Sequence, residues 1–147
     1  MDFDLNIQDV ITNLFQLGIA LVLALPMAVN REHRAKGAGL RTFPLVAIAS
    51  CAYMLVGMQV YDSGEAEARV MYGIITGIGF IGGGAILKHN NQTVGTATAA
   101  SIWNTGAIGI AVAYSRYEIA LVLAITNFVI LQFATPLKKH DTDQSEV

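Results

Sequence analysis

Five stretches of this chain run for the thickness of a bilayer without a charged side chain. Residues 10–29 and 42–61 are twenty residues each, 70–87 is eighteen, and 97–115 and 119–137 are nineteen each. A hydrocarbon core about 30 Å thick needs roughly 20 helical residues at 1.5 Å each. The spacing therefore predicts an all-α fold, a polytopic transmembrane helical bundle of about five spans joined by short loops. It forms one domain over residues 1–137, and a short polar cytoplasmic tail over 138–147 is expected to be disordered.

Composition excludes the soluble alternatives. Only 14% of the 147 residues are charged and 54% are hydrophobic, against about 25% charged in an ordinary soluble domain. Nine basic and eleven acidic side chains are too few to cover a water-soluble globule. The net charge of −2 gives no general attraction to polyanions, so nucleic acid is not an expected partner. One cysteine excludes an intrachain disulfide and any cysteine-based zinc site.

Orientation follows from the basic residues. Arg31, Arg34, Lys36 and Arg41 follow the first stretch, Lys88 follows the third, and Lys138 and Lys139 follow the fifth. Only Arg69 and Arg116 fall on the other side. An N-terminus outside and a C-terminus in the cytoplasm satisfies the distribution throughout. Asp2, Asp4 and Asp9 precede the first stretch with no Lys or Arg, the reverse of a secretory signal, so that stretch is expected to remain in the mature protein.

Small residues at every fourth position mark close helix contacts in lipid. Ala20, Ala24 and Ala28 do so in span one, and Ala97, Ser101, Thr105, Gly109 and Ala113 in span four. Span three has Gly73 with Gly77 and Gly79 with Gly83. These faces are expected to seal helices within the chain, with a homodimer as the alternative. Gly77 to Gly82 also spells G-x-G-x-x-G, but it lies in an apolar run with no acidic residue between Glu67 and Glu118. The dinucleotide reading needs a strand, a helix start and a later acid, and is rejected. Gly77, Gly79, Gly82, Gly83 and Gly84 are dense enough for either close packing or an unwound segment offering carbonyls to a cation or solute.

No ionisable residue falls within the five stretches, so a buried proton or ion relay has no candidate. The uncharged polar groups there are Asn13, Gln16, Thr76, Asn104, Thr105, Asn127 and Gln132, expected to hydrogen-bond between helices. Thr98, Ser101 and Asn104 face the same alternatives as the glycines, packing or solute lining. The loop NREHRAKGAGLRT is the densest chemical segment. Its arginines can fix topology, meet anionic headgroups, bind an acidic partner through their planar forks, or pair with Glu32. Asp62, Glu65 and Glu67 form an acidic loop outside, expected to be a solvated rim rather than a metal site. His33, His89 and His140 have no ligand spacing, and Cys51 reads as a small buried hydrophobe. No cofactor site and no catalytic constellation is visible; the chain is not expected to be an enzyme.

At these motifs the sequence resembles the membrane domain of the MgtC/SapB family of bacterial inner-membrane proteins. Arg31-Glu32 followed by Ala38 to Thr42 resembles the family's R-E and A-G-L-R-T segment. Gly77 to Leu87 resembles its G-I-G-F-L-G-A-G-x-I block. Val94-Gly95, Thr98 to Trp103 and Ile108-Gly109 resemble its V-x-G-L-T-T-A-A-x-x-W segment. Thr96-Ala97, Gly83, Asn104 and Asn30 depart from the usual residues, and the chain resembles the short form that lacks a soluble C-terminal domain. The resemblance implies a role linked to magnesium limitation and, in some pathogens, virulence. It implies a regulator that binds membrane partners, such as the proton-driven ATP synthase, rather than a principal transporter. Arg31, Glu32, Arg34, Gly39, Arg41 and Thr42 would form its functional loop. The alternative is a small transporter or channel with its site at the glycine-rich region between spans three and four.

Overall fold

The computed structural model describes residues 6–34, 38–89 and 92–143. It contains five helices: α1 (Ile7–Arg34), α2 (Thr42–Val60), α3 (Gly64–Gly84), α4 (Thr96–Ala113) and α5 (Tyr117–Asp143). Each overlaps most of one of the charge-free stretches. By length and composition, Ile7–His33 and Thr42–Val60 are long and apolar enough to cross a membrane, and Tyr117–Phe133 is a shorter apolar helix. The fold is all-α, with one addition that the helix pattern does not announce. A two-stranded antiparallel hairpin, β1 (Leu87–His89) and β2 (Gln92–Val94), joins α3 to α4, with Leu87 opposite Val94 and Lys88 opposite Thr93.

Local chemistry sets the helix ends. Asn6 starts α1 by accepting the backbone N–H of Gln8 at 3.0 Å, and Ser63 starts α3 by accepting that of Ala66 at 3.3 Å. Both are preferred capping residues because a short side-chain oxygen satisfies an orphan amide. Glu65 and Glu67 add negative charge to the first turn of α3, where the helix dipole favours it. Pro44 falls in the first turn of α2, where a missing N–H costs nothing. Pro26 lies inside α1, which continues past it.

α4 occupies the centre, packed against each of the other helices, while α3, α2, α1 and α5 surround it in that order. Eleven of its 18 residues are buried. Close approach explains how so many neighbours fit: a Cβ on Gly109 would lie 2.9 Å from Ser50 Cβ and 3.0 Å from Cys51 N of α2. On α1, Ala20, Ala24 and Ala28 are wholly buried. The small-residue rows of α1 and, from Ser101 on, of α4 are therefore contacts within the chain.

The core is mostly apolar but takes in small polar residues, and much of the exterior is apolar as well. The central helix carries Thr98, Ser101, Thr105 and Gly109 inward, whereas Leu14, Phe15, Tyr53, Phe80 and Phe133 lie on the outside, each more than 60% exposed. An apolar exterior of this extent marks an interaction surface rather than one that faces water.

Of the two alternatives for the glycine-rich region, the unwound segment is not found: α3 is continuous through its five glycines between 77 and 84. Its small-residue rows do not seal the bundle: Gly73, Gly77, Gly79, Gly83 and Gly84 face open space, and only Gly82 packs, with a Cβ there lying 3.2 Å from the Ala99 carbonyl oxygen. α5 runs on to Asp143, and residues 144–147 of the expected tail lie outside the described residues.

Candidate functional site

The three motif blocks, far apart in sequence, meet at one cavity of about 660 Å³. Arg31 comes from the end of α1 and Thr42 from the start of α2. Gly84 and Ala85 close α3, and Thr93 and Val94 come from the hairpin. Gly95, Thr96, Thr98 and Ile102 open α4.

Two glycines make this convergence possible. Gly95 has φ +90°, and a Cβ there would run into the carbonyl of Ala85. The hairpin can therefore bring its two ends together only with glycine at this position. Gly95 then starts α4 by accepting the backbone N–H of Ala99 at 2.9 Å. Gly39 is the second. Its carbonyl accepts from both Thr42 and Phe43 backbone N–H groups, at 3.1 and 3.2 Å, to start α2. The Glu32 carboxylate lies where a Cβ on Gly39 would stand, so a side chain there would have to displace it.

Glu32 accepts the backbone N–H of Leu40 at 2.9 Å. Its hydrogen-bond partner is thus the turn itself rather than an arginine, and the carboxylate acts as a clasp between α1 and α2. Arg41 is exposed and has no carboxylate partner among the described residues. The side chain of Arg34 and all of Lys36 lie outside the described residues.

Most of the polar groups expected to bond between helices do so or bond their own backbone, but among the described residues the Asn30 Oδ1 is buried without a partner and Asn13 makes no such bond. Gln16 donates to the carbonyls of Val112 and Ala113 at the end of α4, both at 3.3 Å, and the Val112 carbonyl also accepts the backbone N–H of Ser115 at 2.9 Å. Ser101 donates to Asn127 Oδ1 at 3.0 Å, and Asn127 donates to the Met27 sulfur. Asn104 donates to the Leu123 carbonyl at 3.3 Å, and Thr105 to that of Ser101 at 2.8 Å. Asn30 donates to Gln132 at 2.8 Å, tying α1 to α5. Thr98 alone of the polar pair Thr98 and Asn104 lines the cavity.

The acidic loop is partly engaged. Glu65 pairs with Arg69 at 2.7 Å, and Glu67 accepts from the Tyr114 hydroxyl at 2.9 Å, joining the start of α3 to the end of α4. Among the described residues no group of three His, Cys, Asp or Glu side chains could hold a metal. Asp2 and Asp4 lie outside the described residues, as do the side chains of His89 and His140.

Reading the sequence alone missed the hairpin and the role of Gly95.

The chain is similar in sequence to several known proteins. The chain is 32% identical over 126 residues to a protein of Escherichia coli named "Putative magnesium transporter YhiD", covering 81% of this chain and 59% of that protein. It is 30% identical over 128 residues to Protein SapB of Bacillus subtilis, covering 82% of this chain and 55% of the relative. Protein MgtC of Salmonella typhimurium is 32% identical over 106 residues, 72% of this chain and 45% of the relative. The chain thus spans about half the length of these relatives. No solved structure matches it. The pattern of the MgtC family matches residues 17–140, which include all three blocks and every helix around the cavity, and the chain belongs to that family.

Proposed function

We propose that this chain is a five-span protein of the bacterial inner membrane, N-terminus outside, that acts in magnesium or envelope homeostasis by binding other membrane proteins. In this reading it carries no solute and catalyses no reaction. The magnesium link is supported by the name of the Escherichia coli relative, and the orientation by seven basic residues against two.

The observation that carries the binding role is the contrast between the interior and α3. Inside, Gln16, Ser101, Asn104, Thr105 and Asn127 direct their hydrogen bonds to neighbouring helices or their own backbone. Outside, Gly79 and Gly83 have nothing within 4 Å of where a Cβ would stand. A glycine pair four residues apart lets another helix approach closely in lipid. The partner is a membrane complex, the proton-driven ATP synthase being one candidate, or a second copy of the chain.

Two measurements test the reading. Purified protein reconstituted alone in liposomes should leave an entrapped magnesium dye silent. A crosslinked pull-down from magnesium-starved cells should recover a partner in near-stoichiometric amount and lose it in Gly79→Leu. Magnesium flux through the protein alone would instead favour a transporter, with the cavity shared by Arg31, Gly84 and Thr98 as its site.

A further inference from the structure

A second opening lies beside the cavity, between α2 and α3. It is a groove of about 700 Å³ with Leu45, Ala49 and Tyr53 on the α2 side and Gly73, Gly77 and Ile81 on the α3 side. Its shape is a wedge. At one end α2 and α3 touch, since a Cβ on Gly57 would lie 3.2 Å from the Val70 methyls. At the other end Arg41 and Thr42 stand across the opening from Ile81. The one hydroxyl deep in the groove, on Ser50, donates to the Val46 carbonyl at 2.7 Å, so the floor asks for no polar ligand. From Arg41 to Tyr53 the lining runs twelve residues of α2, about 18 Å at the helical rise. One leaflet of hydrocarbon is about 15 Å deep.

We propose that this groove binds one anionic phospholipid, with an acyl chain lying over Gly73 and Gly77 and the phosphodiester on the Arg41 guanidinium. The inference rests on the membrane-spanning reading given above. A wedge closed at one end and one leaflet deep matches an acyl chain, whereas a spanning helix needs a groove open at both ends. Charge selects the headgroup. Arg41 has no carboxylate partner among the described residues, and its planar fork suits a phosphate better than a lysine would. Thr42 and Ile81 line both the groove and the neighbouring cavity, so the headgroup end opens onto the surface that Arg31 shares. The lipid supplies what α3 lacks: only Ile78 and Gly82 of its 21 residues are buried.

The glycines of α3 then divide by face. Gly73 and Gly77 line the groove. Gly79 and Gly83 are not among its lining residues, and their helical phase turns them away from it.

The test is native mass spectrometry of the protein extracted in mild detergent and offered equal phosphatidylglycerol and phosphatidylethanolamine. Wild type should retain one phospholipid with about tenfold preference for the anionic one, the scale of a charge-assisted hydrogen bond. Arg41→Gln should bind both lipids alike, and Gly77→Leu, whose side chain fills the groove, should retain neither. Gly79→Leu should bind as wild type. Equal binding of the two lipids by wild type, or undiminished retention by Gly77→Leu with unchanged circular dichroism, overturns the proposal. Loss of a co-purifying protein from Gly77→Leu, with no lipid bound to wild type, assigns the groove to a helix instead. Wild type that fails to float with liposomes overturns the membrane reading itself; flotation without lipid selectivity overturns only the groove.

Discussion

The carboxylate of Glu32, at the end of α1, accepts the backbone N–H of Leu40 at 2.9 Å across the turn into α2. The same carboxylate lies where a Cβ on Gly39 would stand. Glutamate and glycine are thus one device: the acid clasps the turn only because residue 39 has no side chain. The clasp sets where Arg41 and Thr42 emerge, and both line the groove beside α3.

The clasp predicts coupled substitutions. Glu32→Ala and Gly39→Ala should each lower stability by about 1 kcal/mol, the net value of a hydrogen bond. The double variant should cost little more than either, because the alanine at 39 no longer meets a carboxylate. Glu32→Gln keeps an acceptor and should lie near wild type. Thermal unfolding of the four variants beside wild type in one detergent checks this, and additive losses would show that the two residues act separately.

Gly95 should be far less tolerant than its neighbours. Alanine there must adopt φ +90° and meet the Ala85 carbonyl, a backbone cost of about 2 kcal/mol before any collision is relieved. Thr96→Ala, one residue later and exposed, should change stability by less than about 0.5 kcal/mol. Urea or heat titration in detergent that finds the two variants equal would contradict the left-handed turn.

The helices were legible in the sequence because bilayer thickness leaves a charge-free stretch of twenty residues few alternatives. The three motif blocks were legible as well, but not their meeting. Arg31, Gly84 and Thr98 are brought to one cavity by a hairpin of two three-residue strands, too short to show a period of two. The packed face of α3 was illegible for another reason. Gly73 with Gly77 and Gly79 with Gly83 have the spacing of a contact, yet Gly82, outside both pairs, is the one that touches α4. Spacing fixes which residues share a face; it does not say whether a neighbour lies there. Arg41 illustrates the same limit, since its lack of a partner among the described residues emerges only when Glu32 is seen to bind the turn.

The Ser101, Asn127 and Met27 chain links α4, α5 and α1. In lipid such hydrogen bonds average about 0.6 kcal/mol, because polar groups find other partners in the loosened state. Asn127→Leu should therefore lower stability by roughly that amount for each of its two bonds, and Ser101→Ala by less. Magnesium movement in liposomes should stay at the wild-type level in both. A large gain in flux would mean that this chain closes a pathway rather than fastening helices.

Gly109 and Gly79 offer the sharpest contrast, because the same substitution should fail for different reasons. A side chain on Gly109 has no room against Ala47, Ser50 and Cys51 of α2, so Gly109→Leu should force α2 and α4 apart. Overpacking of this kind costs about 3 kcal/mol, and the variant should accumulate poorly and unfold early. Gly79→Leu meets open space. It should accumulate and melt as wild type does, yet lose the crosslinked partner, since the leucine blocks close helix approach from outside. Membrane abundance and melting report on the first effect, and partner recovery on the second. If Gly79→Leu melts early, α3 is packed on that face; if it keeps its partner, the docking surface lies elsewhere on the bundle.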